Sequence, residues 1–174
     1  MKRTVFLKTY LKIIRTEGTP SSIARGVALG LAVGLIIPVG LQTAPAIFLA
    51  FVFKANKVLT WMCTCVTNPA TAIVIYPVQC WIGSYLIFHP ISFSTFTAEF
   101  NEVVHAESIA AAWQAFTELS GVILLSFFAG GLLFAIIAAP LGGILGYKAA
   151  LAYQEHRKRR LQNKANANGK EISA

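Results

Sequence analysis

Aspartate is absent from this chain, and between Val58 and Tyr147 lysine and arginine are absent as well. The first absence bears on catalysis. No Glu lies in an apolar run, and His89, His105 and His156 are far apart, so no acid–base pair, metal-ligand spacing or activated nucleophile supports an enzyme. The same lack of intramembrane carboxylates and histidines argues against proton coupling. Cysteine is scarce: Cys63, Cys65 and Cys80 all sit in apolar sequence and are odd in number, which excludes a disulfide framework and a zinc site and leaves packed thiols. No cofactor is expected. The second absence bears on topology, because a cation-free stretch made of long apolar runs broken by prolines describes an integral membrane protein.

What is present agrees with that reading. With 56% hydrophobic residues and a mean hydropathy of +0.63 over 174 residues, the chain has more apolar surface than a soluble core would bury, so lipid must be part of its solvent. The formal net charge of +8 comes from basic residues that flank apolar segments. No soluble module is left to carry a groove-reading element, so the expected partners are membrane lipids and not nucleic acid. Residues 1–26 are too polar for the core of a secretory signal, and the N-terminus is expected to be retained.

Residues 1–18 predict a basic amphipathic helix at the cytoplasmic surface, with Phe6, Leu7, Tyr10, Leu11, Ile13 and Ile14 on one arc and Lys8, Lys12 and Arg15 opposite. A membrane domain, residues 19–150, begins with Thr19 as cap and Pro20 as first helical residue. Its first apolar run, 27–53, is divided by Pro38, Gly40 and Pro45 into pieces shorter than the roughly 20 residues a spanning helix needs. Residues 58–88 are long enough to cross once and are interrupted at Pro69 and Pro77. Residues 89–120 carry Glu99, Glu102, Glu107 and Glu118 without a cation and read as extracytoplasmic, with Phe93, Phe96, Phe100, Val103 and Val104 forming a second surface helix. Residues 121–147 cross back, and the basic tail, 151–174, is expected to extend that helix and fray into disorder.

The cations decide the topology. Six precede Val27, two are Lys54 and Lys57, and seven follow from Lys148, and all three groups belong in the cytoplasm. A full crossing by 27–53 would put Lys54 and Lys57 outside; a re-entrant turn near Pro38 to Pro45 removes the conflict. The predicted architecture is an all-α integral membrane fold: a re-entrant, broken helical hairpin plus two transmembrane helices, flanked by amphipathic interfacial helices, with both termini cytoplasmic.

Three motifs carry further expectations. Gly26, Gly30 and Gly34, and again Gly142 and Gly146, form small-residue strips that let helix backbones approach, and such faces would serve a homo-oligomer. A loose likeness between Gly30, Pro38, Gly40 and Gly131, Pro140, Gly142 is too weak to establish an inverted repeat. Pro38, Pro45, Pro69, Pro77 and Pro140 are the expected helix breaks. Asn68 before Pro69 predicts a half-helix starting within the membrane, and Gln42 and Thr43 at the re-entrant tip would join Asn68 and Thr71 in one polar patch, flanked by Arg25, Lys54 and Lys57. Asn68, Pro69 and Ala70 also spell the water-channel tripeptide, but a single copy in so short a chain does not make a channel. The hydroxyls of Thr64, Thr67 and Ser126 are expected to bond back to their own helix carbonyls.

From Thr19 to about Leu86 the chain resembles a bacterial membrane family catalogued as domain of unknown function 2062. The resembling residues are the segment TPSSIARGVALGLAVGLIIPVGLQT, then Asn56, then TNPAT, Tyr76, Pro77 and Gly83. The resemblance implies a small protein of the bacterial inner membrane with no settled activity. Arg25 departs from it, standing where the family is more often apolar. The expected function is handling of a lipid or amphiphilic anion, by binding or transbilayer movement, at the polar patch. The alternative is a non-transporting membrane scaffold or envelope assembly factor.

Overall fold

The computed structural model describes residues 18–94 and 121–172, with residues 96, 97, 105, 107, 108, 110, 111, 114 and 118 between them. Five helices carry the fold: α1 (Pro20–Ile36), α2 (Thr43–Val52), α3 (Lys57–Thr64), α4 (Pro69–Leu86) and α5 (Gly121–Ile172). Among the described residues there is no strand, as the all-α reading requires. The expected surface helix over residues 1–18 lies outside them except at Gly18, as do Phe100, Val103 and Val104. Phe96, expected on a surface helix, is instead 1% exposed in a core cluster with Ala72, Tyr76, Cys80, Ile123 and Phe127.

α1 is capped by Thr19, whose Oγ1 accepts from the Ser22 N–H, and it ends because Pro38 pushes Ile37 into extended backbone (φ −102°, ψ 132°). The chain turns through Gly40 at φ 96° and returns as α2. Pro45 does not break α2, since it falls in the first turn, where N–H groups have no helical partner. The return is complete: the Asn56 N–H donates to the Ser22 carbonyl, and Arg25 Nη2 reaches the Lys54 carbonyl at 3.1 Å. α1 and α2 are therefore a helical hairpin whose two ends meet.

α3 then runs parallel to α1, register for register. A Cβ on Gly26 would stand 2.9 Å from the Asn56 carbonyl, one on Gly34 would stand 2.8 Å from the Thr64 carbonyl, and one on Gly30 would collide with the Thr60 carbonyl and Cys63. The glycine strip is thus filled by every fourth residue of α3. α5 lies antiparallel on another side of α1, with Gly142 and Gly146 against Val27, Gly143 against Ala28, and Ala150 in a cluster with Ile23 and Leu59. Both strips expected to join separate copies are used inside one chain.

The 58–88 run, expected to cross once with interruptions at Pro69 and Pro77, is broken before Pro69. It is two helices, α3 and α4, bent by 72° at the break between them. Pro77 and Pro140, expected as breaks, lie inside α4 and α5, where each removes the helical donor to the carbonyl four residues before it, Ile73 and Ile136. Pro140 continues a helix while Pro38 ends one, so the loose repeat does not extend to structure. α5 also runs on through the expected tail to Ile172. Its segment Gly121–Arg157 is the one helix among the described residues long and apolar enough to cross a membrane, and most of its apolar window is not buried. Where α4 crosses α5, Gly83 meets the Ser126 carbonyl and Gly130 meets the Gln79 carbonyl in direct backbone contact, with Tyr76 edge-on to Phe127 at 5.0 Å.

Candidate functional site

The polar residues gather where the hairpin tip meets the α3–α4 break, and the prolines explain what they do. Pro38 has no N–H for the Gly34 carbonyl, and Pro69 has none for Cys65. Thr67 Oγ1, 1% exposed, donates to Gly34 O at 2.6 Å, and Asn68 Nδ2 donates to Cys65 O at 3.2 Å. Gln42, also buried, donates through Nε2 to Thr64 O at 3.1 Å and Thr67 O at 3.3 Å, while its Oε1 lies 3.2 Å from Thr67 Oγ1, whose one hydrogen it shares with Gly34 O. The Val66 carbonyl takes the Thr71 hydroxyl at 2.9 Å. The Val39 N–H at the tip finds Tyr76 Oη at 2.9 Å.

Asn68 is the cap the sequence predicts. Its Oδ1 accepts from the Ala70 and Thr71 N–H groups, and Thr71 Oγ1 accepts the Asn68 N–H in return, which closes a capping box with Pro69 at the first helical position. Every carbonyl from Trp61 to Asn68 thereby has a donor within the chain. Lipid could supply none, and an orphaned carbonyl costs about 1–3 kcal/mol.

The predicted patch is assembled only in part. Gln42 is brought to Thr64 and Thr67, next to Asn68 in sequence, and bonds neither Asn68 nor Thr71. Thr43 is exposed at the start of α2 and makes no side-chain hydrogen bond among the described residues. Thr64 and Ser126 bond back to Trp61 and Val122 as expected, while the Thr67 hydroxyl, 3.4 Å from the Thr64 carbonyl, makes its shorter bond across to α1. Thr67 and Tyr76 are the members sequence reasoning missed as parts of this site. The signal was available for Thr67: a hydroxyl next to one proline break, with a second proline break leaving a carbonyl to be filled.

A second cluster forms at the other end of the hairpin. Ile23, Leu59 and Ala150 pack together from α1, α3 and α5, and each has an exposed cation two residues away: Arg25, Lys57 and Lys148. Lys54 joins them through its carbonyl bond to Arg25, and Lys57 Nζ lies 3.5 Å above the Phe51 ring. No ion pair to these four is found among the described residues. Beside them α2 exposes Phe48, Phe51 and Val52, followed by its exposed C-cap Phe53. Measured along α5 from Ala150, this end is about 28 Å from the level of Gly131, where the hairpin tip lies.

No group of three or more His, Cys or Glu side chains suited to a metal ion occurs among the described residues. No curated protein and no solved structure matches the chain. One family model does, and it extends well beyond the segment from Thr19 to about Leu86 that carries the resemblance. Matched over residues 3–159, the chain belongs to the family described as uncharacterized protein conserved in bacteria (DUF2062).

Proposed function

We propose that the protein is embedded in the bacterial inner membrane and binds an anionic lipid, or another amphiphilic anion, at the basic end of the helix bundle. What carries the reading is the gathering of Arg25, Lys54, Lys57 and Lys148 around one three-helix cluster, beside an exposed apolar face of α2. Each cation near an anionic surface contributes about 1 kcal/mol before screening, and acyl chains would cover the phenylalanines. In this frame α5 crosses the bilayer, α1 and α2 are a re-entrant hairpin, and α3 with α4 forms a broken second span. All three basic groups then face the cytoplasm.

The polar break supports this placement indirectly. Gln42, Asn68 and Thr71 spend their hydrogen bonds within the chain, which favours binding at the basic end over passage of a headgroup through the break. The test is binding of phosphatidylglycerol and phosphatidylcholine to purified protein. Replacing Arg25, Lys54 and Lys57 together by Gln is expected to weaken phosphatidylglycerol binding roughly 10- to 100-fold and leave phosphatidylcholine unchanged. Equal affinity in both proteins would sink the proposal.

The scaffold reading has one observation in its favour. α5 continues beyond the three-helix cluster at Ala150, exposing Arg157, Arg159 and Arg160. If truncation after Tyr153 abolished function in cells while lipid binding persisted, a partner-holding role would account for the protein better.

A further inference from the structure

The far end of α4 carries aromatic side chains that the bundle leaves outside. Trp81 and Tyr85 stand edge to face at 5.5 Å and are both exposed, and neither the Trp81 indole N–H nor the Tyr85 hydroxyl has a hydrogen-bond partner among the described residues. Phe88 follows the helix end, 89% exposed, in the left-handed backbone conformation at φ 59°. Glycine would take that conformation without the steric cost, and burial gives the ring nothing in return. An aromatic side chain held open on a backbone that disfavours it points to something outside the chain that receives the ring.

The second observation is one of level. Gly83, midway between Trp81 and Tyr85, meets the Ser126 carbonyl, while at the basic end Gly146 meets Val27, with exposed Tyr147 and Lys148 following it. From Ser126 to Tyr147 α5 rises about 32 Å, close to the roughly 30 Å of a bilayer's hydrocarbon core. Between those levels α5 exposes Phe128, Leu132, Ile136, Leu141 and Ile144. Trp and Tyr favour the two edges of such a core, where the ring meets hydrocarbon and the polar tip meets water and lipid oxygens.

We propose that Trp81, Tyr85 and Phe88 form an anchoring surface for the leaflet opposite the basic cluster, its partner being the zone where acyl chains meet headgroups. The indole N–H and the phenol donate to lipid oxygens, and the Phe88 ring sits among the upper acyl carbons. No Lys or Arg lies between Val58 and Tyr147, so this surface responds to the step in polarity and not to headgroup charge. The inference rests on the reading that the chain is embedded, and it adds a second lipid contact at the boundary the cations do not reach.

The test uses the full chain in vesicles of phosphatidylcholine and phosphatidylglycerol, with Trp81→Tyr, Trp61→Phe and Trp113→Phe, so that Phe88→Trp or Ile136→Trp supplies the one indole. The lipids carry bromine either near the headgroup or near the ends of the acyl chains, and bromine quenches only an indole close to it. Phe88→Trp is expected to lose more fluorescence to the shallow bromines, and Ile136→Trp, midway between the two levels, more to the deep ones. A companion chain keeps Phe88 and has Trp81 as its one indole, with the same shallow preference expected. If Ile136→Trp behaves as expected while either of the other two escapes quenching or loses more to the deep bromines, the anchoring surface is overturned and the embedding stands. If Ile136→Trp escapes quenching, the chain is not embedded and both readings fall.

Discussion

Lys54 and Phe88 adopt the left-handed backbone conformation that usually falls to glycine, at φ 50° and 59°. Both follow a helix end, and both are closed by the same pair of bonds. After α2 the Lys54 N–H bonds Phe51 O and the Ala55 N–H bonds Ala50 O; after α4 the Phe88 N–H bonds Tyr85 O and the His89 N–H bonds Ser84 O. These are Schellman closures with a side chain where none is favoured, at a cost of about 1–2 kcal/mol each. Lys54→Gly and Phe88→Gly are therefore each expected to raise the Tm in detergent, and a fall in either would show that the side chain holds more than its backbone strain costs. At this scale the sequence was legible where one residue acts on its own neighbours. Asn68 and Pro69 announce their cap. Thr67, Tyr76 and Gln79 do not announce their partners, because those lie more than thirty residues away.

At the scale of elements, the spacing of Gly26, Gly30 and Gly34 reveals a close helix contact but not its partner. The partner is α3, whose Asn56, Thr60 and Thr64 share the four-residue repeat. Gly83 and Gly130 make equally close crossings and stand outside any ladder, so nothing in the sequence marks them as contacts. Gly30→Ala is expected to destabilise the fold by about 1–3 kcal/mol, since its methyl would collide with backbone. Gly121→Ala, with nothing within 4 Å of the added carbon, is the control and is expected to be neutral or slightly stabilising. Equal Tm changes for the two would contradict the α1–α3 register. Proline was the less reliable sign. Pro38 and Pro69 bound helices, Pro45 opens one, and Pro77 and Pro140 are carried inside, because a helix within a packed or apolar setting can lose one bond and persist.

At the scale of the molecule, the hairpin return brings cations from three separate stretches of sequence to one end, the arrangement a re-entrant hairpin needs. Labelling with an impermeant thiol reagent checks it in cells. Asn56 is too buried to serve, whereas Lys54 and His89 are exposed. With the native cysteines removed, Lys54→Cys is expected to react only after the membrane is opened, and His89→Cys in intact cells. Reaction of Lys54→Cys in intact cells would require the first apolar run to cross fully.

The sequence by itself determined the helical class, the family, the start of α4 at Asn68 and the grouping of charge, because each follows from composition or from residues within a few positions of one another. Only the tertiary structure decided that the glycine strips face helices of the same chain, that Gln42 and Thr67 close the break, and that Gln79 reaches the Phe127 carbonyl. The physical reason is that a buried carbonyl accepts a donor from any distance along the chain, and only the packing of helices determines which donor arrives.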